Sequence, residues 1–451
     1  MGDSSFISLP GSCWCVFEEE VYYLRMGQKV GKKGVEKGLE HYKEQRFDEA
    51  ALEFLNVLKR THKTEEKSPD KFVVYGYLCT IYYDTGKYRD ILRYADHQID
   101  IANSLKDSCM KAEAFFNLAR GNERLSLFDK AVLFCKESIT INSKRSKILG
   151  YSHLCLGNAY FGLSDFCNCC KNIDLSLAIA RQTKDKRLDI LANASFGIVF
   201  TTLRDYDTAL YYFERALDTL HGQSETDNLD QYQRLLEVCL AVPYFRKGRQ
   251  NDAMESCEDA LKMAMQCKDR PVQAKCLLTF AEIHRMRKDT ERANPRYESA
   301  YSIYTEIGDR YGQMEALRGM AKSTILSGDT QQALELYQRA LDLSESIGNK
   351  FGTMQCSVAL ANLYSEDGNT AMANTYHSAT RTLAGNMELF CGVCGETMGQ
   401  IPEELYPLPC GHLIHNRCGP HLARYTWGRK GTRRPCPSCR VKSSGNPILE
   451  L

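Results

Sequence analysis

The hexapeptide IGDRYG at residues 307–312 returns as IGNKFG at residues 347–352, which lie 40 residues further along the chain. A related junction, CKDRP, occupies residues 267–271, another 40 residues upstream. Repetition at a period of this length is the sequence signature of a solenoid, in which each repeat buries its apolar face against its neighbours. The middle of the chain is therefore predicted to be a stack of short repeated units.

The repeats fit a template of two helices, with a small residue in the first helix and alanine twelve residues later in the second. Small residues are needed because the two helices cross closely at this point. The first position is small in all nine units and the second is alanine in seven. The nine pairs are Gly38/Ala50, Cys79/Ile91, Ala119/Ala131, Gly157/Cys169, Gly197/Ala209, Ala241/Ala253, Ala281/Ala293, Ala321/Ala333 and Ala361/Ala373.

This pattern resembles the tetratricopeptide repeat, although the period of about 40 residues exceeds the usual ~34. In length it resembles the repeats of spindle-orientation adaptors that bind G-protein regulators. We therefore expect an all-α tetratricopeptide-repeat superhelix of about nine helix pairs.

Glycine and proline punctuate this pattern. Four glycines fall in the turn inside a helix pair, where a left-handed residue is useful: Gly86, Gly248, Gly328 and Gly368. Pro243 and Pro295 fall inside predicted helices, so a local kink is expected at each.

A superhelix of this kind has a concave groove that binds extended peptides or helices of partner proteins. Arg120, Arg285 and Lys322 fall at template positions that tend to face the groove. The alternative, which we favour, is an ordinary solvated helix face. The repeats contain no nucleophile, base and acid at an informative spacing, so an active site is not expected there.

The composition is that of a soluble protein with almost no net charge. The chain has 451 residues, a net charge of +1 and 43% hydrophobic residues. The charge argues against a nucleic-acid partner. Neither a transmembrane run nor a secretory signal is visible, so a cytoplasmic location is expected. Of the 20 cysteines, most of those in the repeats are expected to be small buried hydrophobic residues.

Eight metal-ligand residues near the C-terminus follow the order of a RING-H2 finger. They are Cys391-x2-Cys394, Cys410-x-His412-x2-His415-x2-Cys418 and Cys436-x2-Cys439. Eight ligands fill two tetrahedral sites, so two structural zinc ions are expected rather than a hydrolytic centre. Resemblance to RING fingers implies interleaved sites: Cys391, Cys394, His415 and Cys418 would hold the first zinc, and Cys410, His412, Cys436 and Cys439 the second.

RING ligases dock a conjugating enzyme and use no catalytic residue of their own. By resemblance, the docking groove here would be formed by Val393, Leu422 and Pro437, and Arg440 would hold the ubiquitin-loaded state. The alternative is a finger that only docks other proteins.

The N-terminus offers two lipidation candidates, Gly2 and Gly27. A myristoylation signal is Met-Gly-x-x-x-Ser/Thr, yet the sixth residue is Phe6 in the first case and Gly31 in the second. The alternative, an N-terminus that carries no lipid, is equally compatible with these residues.

Five segments are expected. They are an N-terminal flexible extension at 1–25, the solenoid with its final helix at 26–384, a linker at 385–390, the RING-H2 finger at 391–440, and a tail at 441–451.

Repeats followed by a RING-H2 finger, together with the stretches MGQKVGKKGVEKGLEHY, NLARGNERLSLFDKAV and ELFCGVCGETMG, resemble the rapsyn family, in an invertebrate-type form. The resemblance implies a postsynaptic peripheral-membrane scaffold that clusters nicotinic acetylcholine receptors, as at the neuromuscular junction. It implies self-association, contact with the cytoplasmic regions of the receptor, and dystroglycan or another cytoskeletal linker on the RING. It also implies myristate on Gly27. The alternative function is a RING-type ligase for ubiquitin or the ubiquitin-like protein NEDD8, with a conjugating enzyme as partner.

Overall fold

The computed structural model describes residues 32–61, 68–141, 147–221 and 230–387, and parts of the C-terminal region, namely 391, 393–396, 398, 404–407 and 412–419. Within these ranges the chain forms eighteen α-helices and one two-stranded sheet. The helices are α1 Lys32–Lys43, α2 Phe47–Thr61, α3 Pro69–Asp84, α4 Tyr88–Leu105, α5 Ser108–Arg124, α6 Phe128–Ile141, α7 Lys147–Gly162, α8 Phe166–Thr183, α9 Lys186–Thr202, α10 Tyr206–His221, α11 Asp230–Arg246, α12 Gln250–Gln266, α13 Arg270–Met286, α14 Thr290–Ile307, α15 Arg310–Leu326, α16 Thr330–Ser346, α17 Lys350–Glu366 and α18 Thr370–Asn386. The strands are β1 Leu405–Pro407 and β2 Leu413–His415.

The helices form nine consecutive pairs, α1–α2 to α17–α18, which we number 1 to 9. The two helices of a pair pack against each other, and the small residues lie where they cross. A Cβ atom added to Gly197 would come within 2.5 Å of the Phe213 ring, and one added to Gly38 within 2.9 Å of the Phe54 ring. Ala253 and Ala333 are fully buried. The predicted nine-pair repeat is confirmed.

Each pair turns on a residue with positive φ, two positions after its first helix. Gly86, Gly248, Gly328 and Gly368 have φ between 78° and 85°, as predicted. Other pairs place a residue with a side chain there, although this conformation is unfavourable for it. Gln45, Ser126 and Ser164 have φ of 58°, 57° and 63°.

The side chains at these strained turns bond to a pair five places further along the chain. Ser126 Oγ accepts a hydrogen bond from Tyr311 N–H at 2.9 Å. Ser164 Oγ accepts one from Phe351 N–H at 2.8 Å. Gln45 Oε1 accepts one from Arg234 at 3.0 Å. At pair 2 the turn must be glycine, because a Cβ on Gly86 would come within 2.9 Å of Ile307 Cγ2.

About five pairs therefore complete one superhelical turn, and the second turn rests on the first. We call this line of contact, at the turns of pairs 1 to 5, the inter-turn seam. Pairs 6 to 9 cover the turns of pairs 1 to 4 along this seam.

The first residue of the second helix differs between covered and uncovered turns. It is aromatic in pairs 1 to 5 and polar in pairs 6 to 9. The aromatic residues are Phe47, Tyr88, Phe128, Phe166 and Tyr206, and the polar ones are Gln250, Thr290, Thr330 and Thr370. The Phe166 ring lies 5.6 Å from the Phe351 ring, edge to face, and the Phe128 ring lies 6.5 Å from the Tyr311 ring. These rings supply the apolar part of the seam.

Three smaller expectations have clear outcomes. Pro243 and Pro295 lie inside α11 and α14 as predicted, and both helices continue past them, while the kink expected at each stays a prediction. The final helix runs to Asn386, two residues past the predicted boundary at residue 384, and Met387 N–H still donates to Leu383 O at 3.1 Å. Of the twelve solenoid cysteines that the structure describes, nine are buried and all are free thiols, as expected.

Candidate metal centre

Four of the predicted zinc ligands converge in the C-terminal region. The sulfur atoms of Cys391, Cys394 and Cys418 and a ring nitrogen of His415 all lie within 4.8 Å of one another. Cys394 Sγ is 3.2 Å from His415 Nδ1. In a tetrahedral zinc site with Zn–S bonds of about 2.3 Å, ligand atoms lie roughly 3.3–3.8 Å apart. The cluster is therefore compatible with one metal ion held by three thiolates and one imidazole.

The backbone around the cluster explains how these residues meet. Gly395 has φ of 76°, so its N–H folds back to donate to Cys391 O at 2.8 Å. The strand pair places Leu405 opposite His415. Ile414 lies next to His415 on β2, is fully buried, and packs against Cys391 and Cys418. The tight turn before Gly395 supplies Cys391 and Cys394. Strand β2 supplies His415, and the short helical turn that follows it supplies Cys418.

The electrostatics of the thiols favour a cation. Burial raises the pKa of the Cys391 thiol, but the N–H groups of Cys394, His415 and Val393 outweigh it and hold the pKa below its ordinary value. Burial and the neighbouring sulfurs raise the pKa of Cys418. Three thiolates this close repel one another, so a divalent cation would stabilise the fully ionised set.

The other predicted ligands are placed only in part. His412 is described, and its Nδ1 lies 3.7 Å from Cys167 Sγ at the start of α8. Cys410, Cys436 and Cys439 lie outside the described residues, as do the candidate docking residues Leu422, Pro437 and Arg440. Val393 is half-buried and packs against the Cys391 cluster. The lipidation candidates Gly2 and Gly27 also lie outside the described residues.

The metal-site region is docked on the solenoid, which the sequence did not predict. Leu405 N–H donates to Asp205 Oδ2 at 2.8 Å in a buried contact. Leu405 and Leu413 belong to the same apolar cluster as Leu203, in the turn of pair 5. The strand pair thus covers the fifth turn in the way that pairs 6 to 9 cover the first four.

The three groove candidates differ in exposure: Arg120 is buried, and Arg285 and Lys322 are half-buried. Arg120 is buried and donates to Thr80 Oγ1 at 3.0 Å, with its guanidinium 5.3 Å from the Tyr83 ring. Arg285 is half-buried and bonded to Glu282. Lys322 is half-buried on the neighbouring first helix.

The groove candidates of pairs 7 and 8, Arg285 and Lys322, lie in a charge cluster with Glu282. Burial raises the pKa of Glu282, but Arg285 and Lys322 outweigh it and lower that pKa to about 2. Burial and the nearby Arg318 lower the pKa of Lys322 to about 8.

Lys322→Met is expected to raise the free energy of unfolding at pH 7 by about 1–3 kcal/mol, since the wild-type fold disfavours the ammonium by two pKa units or more. Between pH 8 and about 10.5 the unfolded chain binds more protons than the folded one, so wild-type stability rises with pH and the gain from the substitution shrinks. Chemical denaturation at pH 7 and pH 10 measures both. Lys262→Met, at an exposed lysine, is the control and should change neither value by more than ~0.5 kcal/mol.

Comparison with known proteins identifies the relatives of this chain. A family model described as the rapsyn N-terminal myristoylation and linker region matches residues 26–108, and a tetratricopeptide-repeat model matches residues 312–384. Over 420 residues the chain is 34% identical to the 43 kDa receptor-associated protein of the synapse of Tetronarce californica, covering 93% of this chain and 98% of the relative. The chain belongs to the rapsyn family. The protein of the same name from Gallus gallus is 40% identical over 420 residues, covering 92% and 98% of the two chains.

The rapsyn N-terminal region begins at Met26, which is the methionine before Gly27. Among solved structures, a Rap protein complexed with Competence and Sporulation Factor shares the fold with a TM-score of 0.56 at 12% identity, covering 79% of this chain and 99% of that one. No helix in the described ranges has the length and apolarity needed to cross a bilayer.

Proposed function

We propose that this chain is a receptor-associated scaffold of the synapse, which clusters nicotinic acetylcholine receptors at the postsynaptic membrane and links them to the cytoskeleton. The observation that carries the proposal is the match to full-length receptor-associated relatives, which covers 98% of each of the two. A match of this extent includes both the repeats and the metal-ligand region, so the whole architecture is shared.

The geometry suits a scaffold more than an enzyme. The seam joins successive superhelical turns, and the metal-site region contacts the solenoid through Asp205, which would favour a fixed spacing between binding surfaces. Rigid spacing between binding surfaces makes several weak contacts act together. The finer parts of the proposal are a RING-H2 finger with two zinc ions, self-association of the repeats, and a dystroglycan-type linker on the finger.

Membrane attachment would come from the N-terminus. The family match starts at Met26, which supports Gly27 rather than Gly2 as the myristoylated residue. One acyl chain gives only marginal binding, so a second membrane contact is needed for stable attachment.

The scaffold proposal predicts that receptor channels co-expressed with this chain gather in surface patches where both proteins coincide. Receptors expressed alone should stay dispersed, because nothing then links one pentamer to the next. Counting patches by fluorescence microscopy, with and without the chain, checks this. Equal patch density in both conditions would refute the proposal.

The ligase alternative rests on Val393, Leu422, Pro437 and Arg440, of which the structure describes Val393 alone. It stays a prediction, to be decided by whether the chain discharges a conjugating enzyme loaded with ubiquitin or NEDD8.

A further inference from the structure

One edge of the solenoid carries a row of exposed cations at the ends of its helices. Lys59 and Arg60 lie in the last turn of α2, and Lys106 follows the end of α4. Arg181 and Lys184 lie at the end of α8, and Lys186 opens the next helix. All six are exposed. We call this edge, at the end of pairs 1 to 4 opposite the seam, the lower rim.

The acidic residues of the lower rim do not cancel this charge. Asp107 caps a helix by accepting from Cys109 N–H at 2.8 Å, and Asp185 does so from Leu188 N–H at 3.0 Å. Of the described residues, Glu36 and Asp70 are exposed acids near the first turns of α1 and α3. Asp100 and Glu137 are two further exposed acids near the ends of α4 and α6. Among the residues that the structure describes at these helix ends, six exposed cations therefore face four exposed acids.

Helix dipoles alone do not account for the lysines. A cation near a helix C-terminus is stabilising in any pair, yet the same positions in later pairs are filled differently. Lys106 and Lys184 correspond to Gly308 and Gly348, which also have positive φ. Lys268, the third such residue, is paired with Asp48 across the seam at 3.0 Å. Leu105, beside Lys106, is 40% exposed, whereas the equivalent Ile307 and Ile347 are 7% and 4% exposed.

The N-terminus emerges on this same edge. Successive helices of an up-and-down repeat alternate in direction, so first helices begin where second helices end. α1 begins at Lys32, five residues after Gly27. Five residues span at most roughly 17 Å. A lipid on Gly27 would therefore be tethered close to the lower rim and not to the opposite edge.

We infer that the lower rim is a membrane-docking surface, which binds anionic lipid headgroups through Lys59, Lys106 and Lys184. The inference deepens the proposed function, since it supplies the second contact that a single acyl chain requires. The occupant is an anionic bilayer because the rim combines dispersed cations with an exposed leucine, Leu105, at the edge from which the chain leads to the lipidation candidate Gly27. Each lysine near an anionic surface contributes about 1 kcal/mol, or about fivefold in partitioning.

The test is co-sedimentation of the full chain with phosphatidylcholine vesicles that contain 0% or about 30% phosphatidylserine. The triple variant Lys59→Gln, Lys106→Gln, Lys184→Gln is expected to lower partitioning onto anionic vesicles at least tenfold, as estimated from the contribution per lysine. Binding of the wild type should weaken steeply with salt. Circular dichroism confirms that the variant is folded.

A matched control removes the same charge from the opposite edge. Arg246, Arg287 and Lys288 are exposed at the uncovered turns of pairs 6 and 7. The triple variant Arg246→Gln, Arg287→Gln, Lys288→Gln should bind vesicles within about twofold of the wild type, because those turns would face away from the bilayer. Equal losses in the two variants, no loss in the rim variant, or no binding of wild type to anionic vesicles would each overturn the inference. Receptor patches are counted in a separate experiment. If patches still form and the rim variant binds vesicles as strongly as the wild type, the rim inference fails and the scaffold proposal stands.

Discussion

Replacing Phe166 with threonine is expected to destabilise the solenoid by about 3 kcal/mol, because a fully buried phenylalanine contributes this much to a core. Its ring is 4% exposed and meets Phe351 edge to face, so the substitution removes the apolar contact between pairs 4 and 9. Threonine is the residue that pairs 7 to 9 use at the same position, where no next turn covers it. The helix start itself should therefore tolerate the change.

Two measurements separate a seam effect from a local one. Hydrogen exchange at the Phe351 amide, which donates to Ser164 Oγ, should speed up in Phe166→Thr because the second turn lifts from the first. Thr330→Ala, at the exposed equivalent in pair 8, should alter stability by less than ~0.5 kcal/mol. Similar losses in both variants, or unchanged exchange at Phe351, would show that the aromatic stripe serves its own helix pair and not the seam.

The sequence was sufficient for the repeats and for one ligand set because both depend on local spacing. Twelve residues between Gly38 and Ala50 fix where two helices cross, and a Cys-x2-Cys turn brings two sulfurs together whatever surrounds them. The four residues of the cluster around Cys391 lie close enough together to hold a metal ion, as that part of the ligand assignment requires. The second predicted site has three of its four ligands outside the described residues.

The seam and the docking of the metal-site region were missed because they join residues that are far apart in the chain. Ser164 and Phe351 are 187 positions apart, and Asp205 and Leu405 are 200 apart. Helical periodicity carries no information at such separations. A signal was nevertheless present: aromatic residues open the second helix in pairs 1 to 5 only. Buried rings at a helix start imply a cover, and the change to Gln250 in pair 6 marks where the cover ends.

That pattern also bears on pair 5. Five aromatic positions precede the change, yet pairs 6 to 9 can cover only four turns. Tyr206 therefore implies a fifth cover, and the strand pair of the metal-site region occupies that place through Leu405 and Asp205. The region occupies the place of a last layer of the superhelix, so its folding, and any metal that it binds, should be coupled to the turn beneath it.

Cys391→Ser is accordingly expected to have the largest effect in the molecule. Loss of one thiolate abolishes tight binding at its site, and a structural zinc contributes on the order of 10 kcal/mol to the fold that holds it. Metal analysis of the purified chain should fall from two zinc ions to one, as the RING-H2 proposal requires. Cys267→Ser, at a half-buried solenoid thiol, controls for loss of a cysteine and should leave the zinc content unchanged.

Coupling to the solenoid distinguishes a docked layer from an independent finger. Once the region around Cys391 unfolds, Asp205 loses the N–H of Leu405 and the turn of pair 5 becomes exposed, so hydrogen exchange at residues 203–206 should rise. Asp205→Ala provides the reverse test, because it removes the contact while all four ligands remain. It should raise exchange in the same turn and leave the zinc content at its wild-type value. If Cys391→Ser lowers zinc without any change at residues 203–206, the finger is tethered to the superhelix and does not complete it.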